Sequence, residues 1–253
     1  MKLRLLIVFC FLSLTCAYGQ KFEFSLQANA GAYSYSGISA TGTSFFNSNG
    51  TGGYYTNNIY GNKSGFSYGA SAQLQHLARG GFMVGLQAGY YWLRSYENIN
   101  QVYPPVFYLA ADDYGPEGFA YNPIPVKGHA TLQSYSIDLS PFVGYRVKLN
   151  KKMHLDLMPG ADIAFSTSAY DKGTATDAQN ITYRTNRKMT DAPTDFRLKF
   201  GTAIGYKRWI ITASYAHGLT NLDKDINVTS YGGGAPIVHS ELLLFGVGYV
   251  LGR

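Results

Sequence analysis

Eight stretches of this chain alternate apolar with polar residues at a period of two. That pattern suits extended strands and excludes helices, whose apolar positions recur every 3.6 residues. The stretches fall at 21–36, 65–77, 82–94, 130–148, 153–166, 195–206, 209–219 and 240–251. Connections after the second, fourth and sixth are tight: Ala78 to Gly81, Leu149 to Lys152, and Lys207-Arg208. Those after the first, third, fifth and seventh are long and rich in Gly, Ser, Asn, Thr, Tyr and Pro. A compact soluble domain rarely carries four such connections, whereas a membrane β-barrel carries short turns at one end and long loops at the other.

The two faces of each stretch name the surroundings. One face runs Phe22, Phe24, Leu26 in the first stretch, Phe82, Val84, Leu86, Tyr90, Trp92 in the third, and Phe196, Leu198, Phe200, Ile204, Tyr206 in the sixth, with no formal charge at any such position across the eight. The other face holds Glu23, Gln27, Asn29, Gln73, Gln75, Gln87, Ser134, Ser136, Asp138, Arg146, His154, Asp156, Asp162, Arg197 and Lys199. Aromatics bound the apolar band: Tyr90 and Trp92 toward the long loops, Tyr145, Tyr206 and Trp209 toward the tight turns. Those are the places of interfacial girdles, where an amphipathic ring meets lipid headgroups. An open sheet edge cannot sit in hydrocarbon, so the sheet must close. The expected fold is an all-β, eight-stranded antiparallel up-and-down transmembrane barrel with long extracellular loops and short periplasmic turns.

Composition agrees. Charged residues are 14% of the chain, against about 25% in soluble domains. Aromatics reach 15%, and the net charge of +6 is scattered, which argues against a nucleic-acid partner. Residues 1–19 read as a signal peptide: Lys2 and Arg4, an apolar core from Leu5 to Leu14, then Ala17-Tyr18-Gly19, with cleavage between Gly19 and Gln20. Both cysteines, Cys10 and Cys16, lie inside it, so residues 20–253, read as one barrel domain, contain no thiol. A disulfide-free exported chain suits the bacterial envelope, and the expected location is a Gram-negative outer membrane.

From about residue 133 to 251 the chain resembles the PorT-type outer-membrane β-barrel family of Bacteroidetes. The resemblance rests on the stretches Ser134 to Arg146, Leu157-Met-Pro-Gly-Ala-Asp162, Phe200 to Gly205, Ala213 to Asn221 (with Tyr215 and Gly218-Leu-Thr-Asn221) and Leu244 to Tyr249. It implies an outer-membrane barrel, with some relatives linked to secretion, and transfers no catalytic residue. The chain departs from such barrels by ending Tyr249-Val-Leu-Gly-Arg253 where they end on Phe.

An eight-stranded lumen is only wide enough for side chains to fill, so interior charges must pair. The 149–152 turn brings Arg146 opposite or diagonal to Asp156, and Asp138 and Asp162 lie within reach of Arg197 or Lys199 if the fifth and sixth strands neighbour. A salt-bridged plug is expected, with a gated conduit as the alternative. No spacing matches a metal site, and no cofactor is expected. His217 near Ser214, or Asp112-Asp113 facing a histidine across the loops, are the catalytic candidates; His217 reads instead as a capped interfacial residue, and no enzyme is expected. The loops are the expected working surface, the alternative being that their aromatics fold back over the barrel mouth or rest on lipopolysaccharide. Residues 37–64 hold Phe45, Phe46, Tyr54, Tyr55 and Tyr60, and residues 95–129 hold Tyr103, Phe107, Tyr108, Tyr114 and Phe119. Asp112, Asp113 and Glu117 against Lys172, Arg184, Arg187 and Lys188 give two loops opposite charge. The expected partners are outer-membrane lipid and lipopolysaccharide, with a protein or glycan at the loops, and the expected state is a monomer. Three roles follow: a non-enzymatic protein presenting loops, a secretion accessory, or a lipid-modifying enzyme.

Overall fold

A computed structural model describes residues 21–104, 123–189, 193–223 and 236–252. Eleven strands are present: β1 (Lys21–Ser36), β2 (Thr43–Ser48), β3 (Tyr54–Thr56), β4 (Lys63–Leu77), β5 (Phe82–Tyr103), β6 (Ile124–Lys148), β7 (Met153–Asp177), β8 (Thr182–Met189), β9 (Asp195–Tyr206), β10 (Trp209–Gly218) and β11 (His239–Gly252). Eight of them pair antiparallel in a ring, β1–β4–β5–β6–β7–β9–β10–β11, which closes where β11 returns to β1. Closure gives each of these eight strands two partners and leaves the ring no free edge.

The tight turns form as their residues dictate. Gly80 and Gly81 take φ of 92° and 96°, which a side chain resists, and Ala78 N–H donates to Phe82 O at 2.9 Å. The Asn150 side chain accepts from the N–H groups of Lys152 and Met153, each at 2.8 Å, and so holds its own turn. Between β9 and β10, Lys207 turns the chain at φ 55°.

Within the ring the outward face is apolar. Leu198 and Ile211 are each 63% exposed and Phe245 57%, in a continuous band with no charge on it. The inward face is polar: Glu23, Gln27, Gln73, Asp138, Arg146, Asp156, Asp162 and Arg197 are all buried. A closed sheet with this sorting is a transmembrane barrel, since in a soluble protein water would meet the apolar outer face.

The long connections differ from the sequence reading, which ended the third, fourth and fifth strands at 94, 130 and 166. Three strands run on past the apolar band: β5 to Tyr103, β6 from Ile124, and β7 to Asp177. The β2–β3 hairpin lies on β5, with β2 parallel to it, and β8 pairs with the end of β7. The cause is an inversion of polarity along the same strands. On β6 the inward residues change from Asp138, Ser136 and Ser134 to Leu132, Ala130 and Val126, while the outward ones change from Leu139 and Ile137 to Gln133, His129 and Lys127. An apolar cluster of Phe46, Ile99, Val102, Val126, Ala130, Ala175 and Tyr183 fills the extension. We call this part the cap.

Depth in the band sets the cost of an outward charge. Phe245→Arg, mid-band, costs about 2–4 kcal/mol, and Leu251→Arg at the rim about 0–1 kcal/mol. Unfolding titrations in lipid vesicles measure both, and equal costs would contradict the assigned band.

Candidate functional site

Two ionic layers and an amide layer fill the lumen. At the turn end, β6 and β7 put Arg146 opposite Asp156, and the guanidinium grips that carboxylate through Nε and Nη2, both at 2.7 Å. It also reaches Glu23 at 2.9 Å, and Gln75 donates to Glu23 at 2.8 Å. Above this, Gln27 donates to Gln73 at 2.9 Å, and Gln87 to Gln27 at 3.2 Å and Ser71 at 2.9 Å. Toward the loop end, Arg197 Nη1 lies 3.1 Å from both Asp138 and Asp162, and Nε 2.7 Å from Asp195. Ser240 donates to Asp195, and Ser140 to Asp162. The void left at the amide layer is about 30 Å³, room for about one water.

Lys199 differs from its expected place. It makes no ion pair within 4.0 Å among the described residues, and donates instead to Gln87 Oε1 at 2.7 Å and Ser140 Oγ at 3.0 Å. Register explains this: Arg197 lies opposite Asp162, whereas Lys199 lies opposite Gly160, one inward position nearer the amides. Asp195 and Ser240 escaped the sequence reading, although their inward phase marks them.

The aromatic belts stand at both rims of the band. Tyr68 packs edge-on to Trp92 at 5.0 Å, Trp92 and Tyr90 each stack with Tyr135 at 6.3 Å, and Arg94 covers Trp92 at 4.2 Å. At the turn end Tyr145 is outward and exposed, and Trp209 lies opposite both Tyr206 and Tyr249. His217 and Ser214 do not meet. Ser214 lines the inner void while His217 faces outward, its Nδ1 3.9 Å from Glu241 and its ring 5.9 Å from that of His239. Residues 214 and 217 differ by an odd number, so a strand sends them to opposite faces. Gly19, Gln20, Phe107, Tyr108, Asp112, Asp113, Tyr114, Glu117 and Phe119 lie outside the described residues.

The cap buries its acids and exposes its cations. Asp171 ties three strands together by accepting from Thr56 N–H at 3.2 Å, Thr56 Oγ1 at 2.7 Å and Thr185 Oγ1 at 3.2 Å. Asp177 accepts from the N–H groups of Gln179 and Ile181 and from the Tyr183 hydroxyl. Both acids are thus spent inside, and the rim keeps the cations. A groove of about 820 Å³ runs between the β2–β3 hairpin and β8, lined by Ser48, Asn49, Tyr54, Tyr55, Arg184, Asn186, Arg187 and Lys188. Arg187 sits over the Tyr55 ring at 5.5 Å, and Tyr54 packs edge-on to Tyr183 at 5.3 Å. Of the ten carboxylates among the described residues nine are buried, and the tenth, Glu241, is the one beside His217.

No protein-family model matches the chain, and no curated protein matches it. Solved structures similar to it include Neisserial surface protein A (NspA), at 15% identity over 89% of this chain and 96% of that one, with a TM-score of 0.37. Ail, the attachment invasion locus protein of Yersinia pestis, in complex with the heparin analogue sucrose octasulfate, shows 11% identity over 92% of this chain and 100% of its own, at 0.33. The outer membrane protease OmpT from Escherichia coli shows 14% identity over 94% and 100%, also at 0.33. The barrel assignment rests on the strand pairing of this chain and not on those likenesses.

Arg197→Met leaves three buried carboxylates facing one another, and costs about 3–5 kcal/mol. Adding Asp138→Asn, Asp162→Asn and Asp195→Asn recovers most of it; urea titration of folded barrels in vesicles is the check, and a harmless single substitution would show that Arg197 does not hold the layer. In the cap, Glu97 is 1% exposed, and its Oε2 has no hydrogen-bond partner among the described residues. Burial, with the negative charge of Asp171 beside it, pushes its carboxyl from 4.5 up to about 8. The folded cap therefore holds a proton that the unfolded chain releases. Its stability is full below pH 4.5 and falls as the pH climbs to about 8. The protection factors of amides 96–103, which discount the intrinsic rise of exchange with pH, fall through that window, and Glu97→Gln removes the fall.

Proposed function

We propose that this chain is an integral protein of a Gram-negative outer membrane, exported by its leader, whose barrel is a closed stand for the cap. The cap's groove is the binding site, and it takes a partner carrying acidic groups, with no chemical step. The observation that carries this reading is the groove itself: three cations and two tyrosines on one rim, with the neighbouring acids turned inward and bonded. Guanidinium groups bind sulfate, phosphate and carboxylate through paired donors. Tyrosine faces with Asn and Ser beside them suit a hydroxylated body, so an acidic oligosaccharide fits better than a flat protein surface.

The groove's anchorage supports binding. The β2–β3 hairpin and β8 are hydrogen-bonded to β5 and β7, which continue from the barrel, so little ordering is required when a partner arrives. The PorT-type resemblance fits the barrel half, where Pro141 and Pro159 occupy exposed outward positions on β6 and β7. A conduit would call for a path through the lumen, and the void of about 30 Å³ at the amide layer favours a plugged barrel; an accessory role in secretion needs no such path.

Purified protein in lipid nanodiscs, titrated with sulfated, phosphorylated and uncharged oligosaccharides, tests the assignment. The charged ligands bind, binding weakens as salt rises, and the triple substitution Arg184→Gln, Arg187→Gln, Lys188→Gln lowers affinity at least about tenfold, a loss of about 1.4 kcal/mol. Equal binding by the triple variant, or no binding by the wild type, removes the assignment.

A further inference from the structure

The opposite end of the barrel carries a second concentration of positive charge that the cap does not use. Each of the three tight turns bears at least one cation and none bears an acid: Arg79 in the first, Lys151 and Lys152 in the second, Lys207 and Arg208 in the third. Lys21 and Lys148, at the adjoining strand ends, bring the set to seven of the chain's 21 lysines and arginines, all exposed. They surround an open mouth of about 1030 Å³ whose floor is closed by Arg146, already paired with Glu23 and Asp156. Among the described residues none of the seven pairs with a carboxylate within 4.0 Å.

Two features show what these charges face. The turns touch one another, with Lys207 N–H donating to Lys152 O at 3.0 Å, so like charges are gathered on one rim where they repel. An anionic surface relieves that repulsion. The rim also starts where the aromatic belt ends: Lys207 and Arg208 lie between Tyr206 and Trp209, and the Lys207 ammonium folds back over the outward Tyr206 ring at 5.5 Å. That contact sets the ammonium of a mouth-lining residue beside an outward ring, at the level of the headgroups. Long basic side chains next to interfacial aromatics reach lipid phosphates in this way. Lys207 also keeps a positive φ of 55°, a conformation that glycine adopts without strain, so the turn geometry does not explain a lysine there.

We propose that the turn-end rim is a seat for anionic phospholipid headgroups of the leaflet it faces, and that these lipids fix the barrel's depth and direction in the membrane. Several cations act together, since each near an anionic surface adds to the attraction and the sum is screened by salt.

The test is lipid retention. Protein folded into mixed phosphatidylethanolamine and phosphatidylglycerol vesicles is extracted in mild detergent, and the lipids kept by the barrel are identified by native mass spectrometry. The wild type retains phosphatidylglycerol several-fold above its share in the vesicle, less so at high salt. The variant Lys151→Gln, Lys152→Gln, Lys207→Gly, Arg208→Gln loses the enrichment while migrating as a folded, heat-modifiable barrel. The cap variant Arg184→Gln, Arg187→Gln, Lys188→Gln keeps it. Retention in the vesicle ratio by the wild type overturns the proposal, as does enrichment that survives in the turn variant or disappears in the cap variant. Binding of soluble polyglutamate at the turn end, without any lipid preference, would assign the rim to an acidic protein instead.

Discussion

A sheet without an edge is the constraint from which the rest of this molecule follows. Hydrocarbon offers no partner to backbone N–H and C=O groups, so the eight spanning strands each need two neighbours, and the ring supplies them. Closing eight strands leaves a narrow lumen, and the lumen must then be filled. It is filled with polar groups because the apolar residues are committed to the outside. Arg146 with Glu23 and Asp156, the glutamine layer, and Arg197 with three aspartates follow from that division. Buried ion pairs add little net stability compared with apolar packing. They do penalise error: a slip of one residue would turn Asp138 or Arg197 toward lipid and Phe196 or Leu198 toward the lumen.

The same strands then obey the opposite rule once they leave the band. β5, β6 and β7 carry their backbone hydrogen bonds onward, but water now lies outside, so Leu132, Ala130 and Val126 face in and Lys127 faces out. β7 makes the change with a register shift opposite Tyr135 and Ser136, at the level of the aromatic belt. Before it Ala164 is buried and Phe165 outward; after it Ala169 and Asp171 are buried and Lys172 outward. One extra residue resets the phase at the boundary between two solvents. The cap therefore inherits the barrel's stiffness without needing a separate domain.

This inversion also explains what could be read from the residues. The ends of β1 and β9 agree with the alternation because both strands lie mostly inside the band, where contrast between faces is greatest. β2, β3, β8 and the upper parts of β5 to β7 stayed hidden. Their inward face is a mixture such as Ser95, Glu97 and Ile99, and their outward face carries Tyr96 and Asn98, so the contrast is weak. The Arg146–Asp156 contact was legible because one short turn fixes its register. The choice between Arg197 and Lys199 was not, since it depends on how β9 aligns with β7 across a long connection.

Charge is sorted as thoroughly as polarity. Nearly every described carboxylate is buried, while cations gather at both open ends of the barrel. Inside, Glu23, Asp138, Asp156, Asp162 and Asp195 outnumber Arg146, Arg197 and Lys199, five to three. An anion approaching either end meets a positive rim first and a negative interior beyond it. The rim attracts and the lumen repels, so an anion is held at the mouth and kept from the lumen. A conduit for anions would require the reverse order, with the attracting charges lining the path. The sorting that lets the chain close around its own acids thus leaves two surfaces suited to holding negative charge at the membrane, one for each side of it.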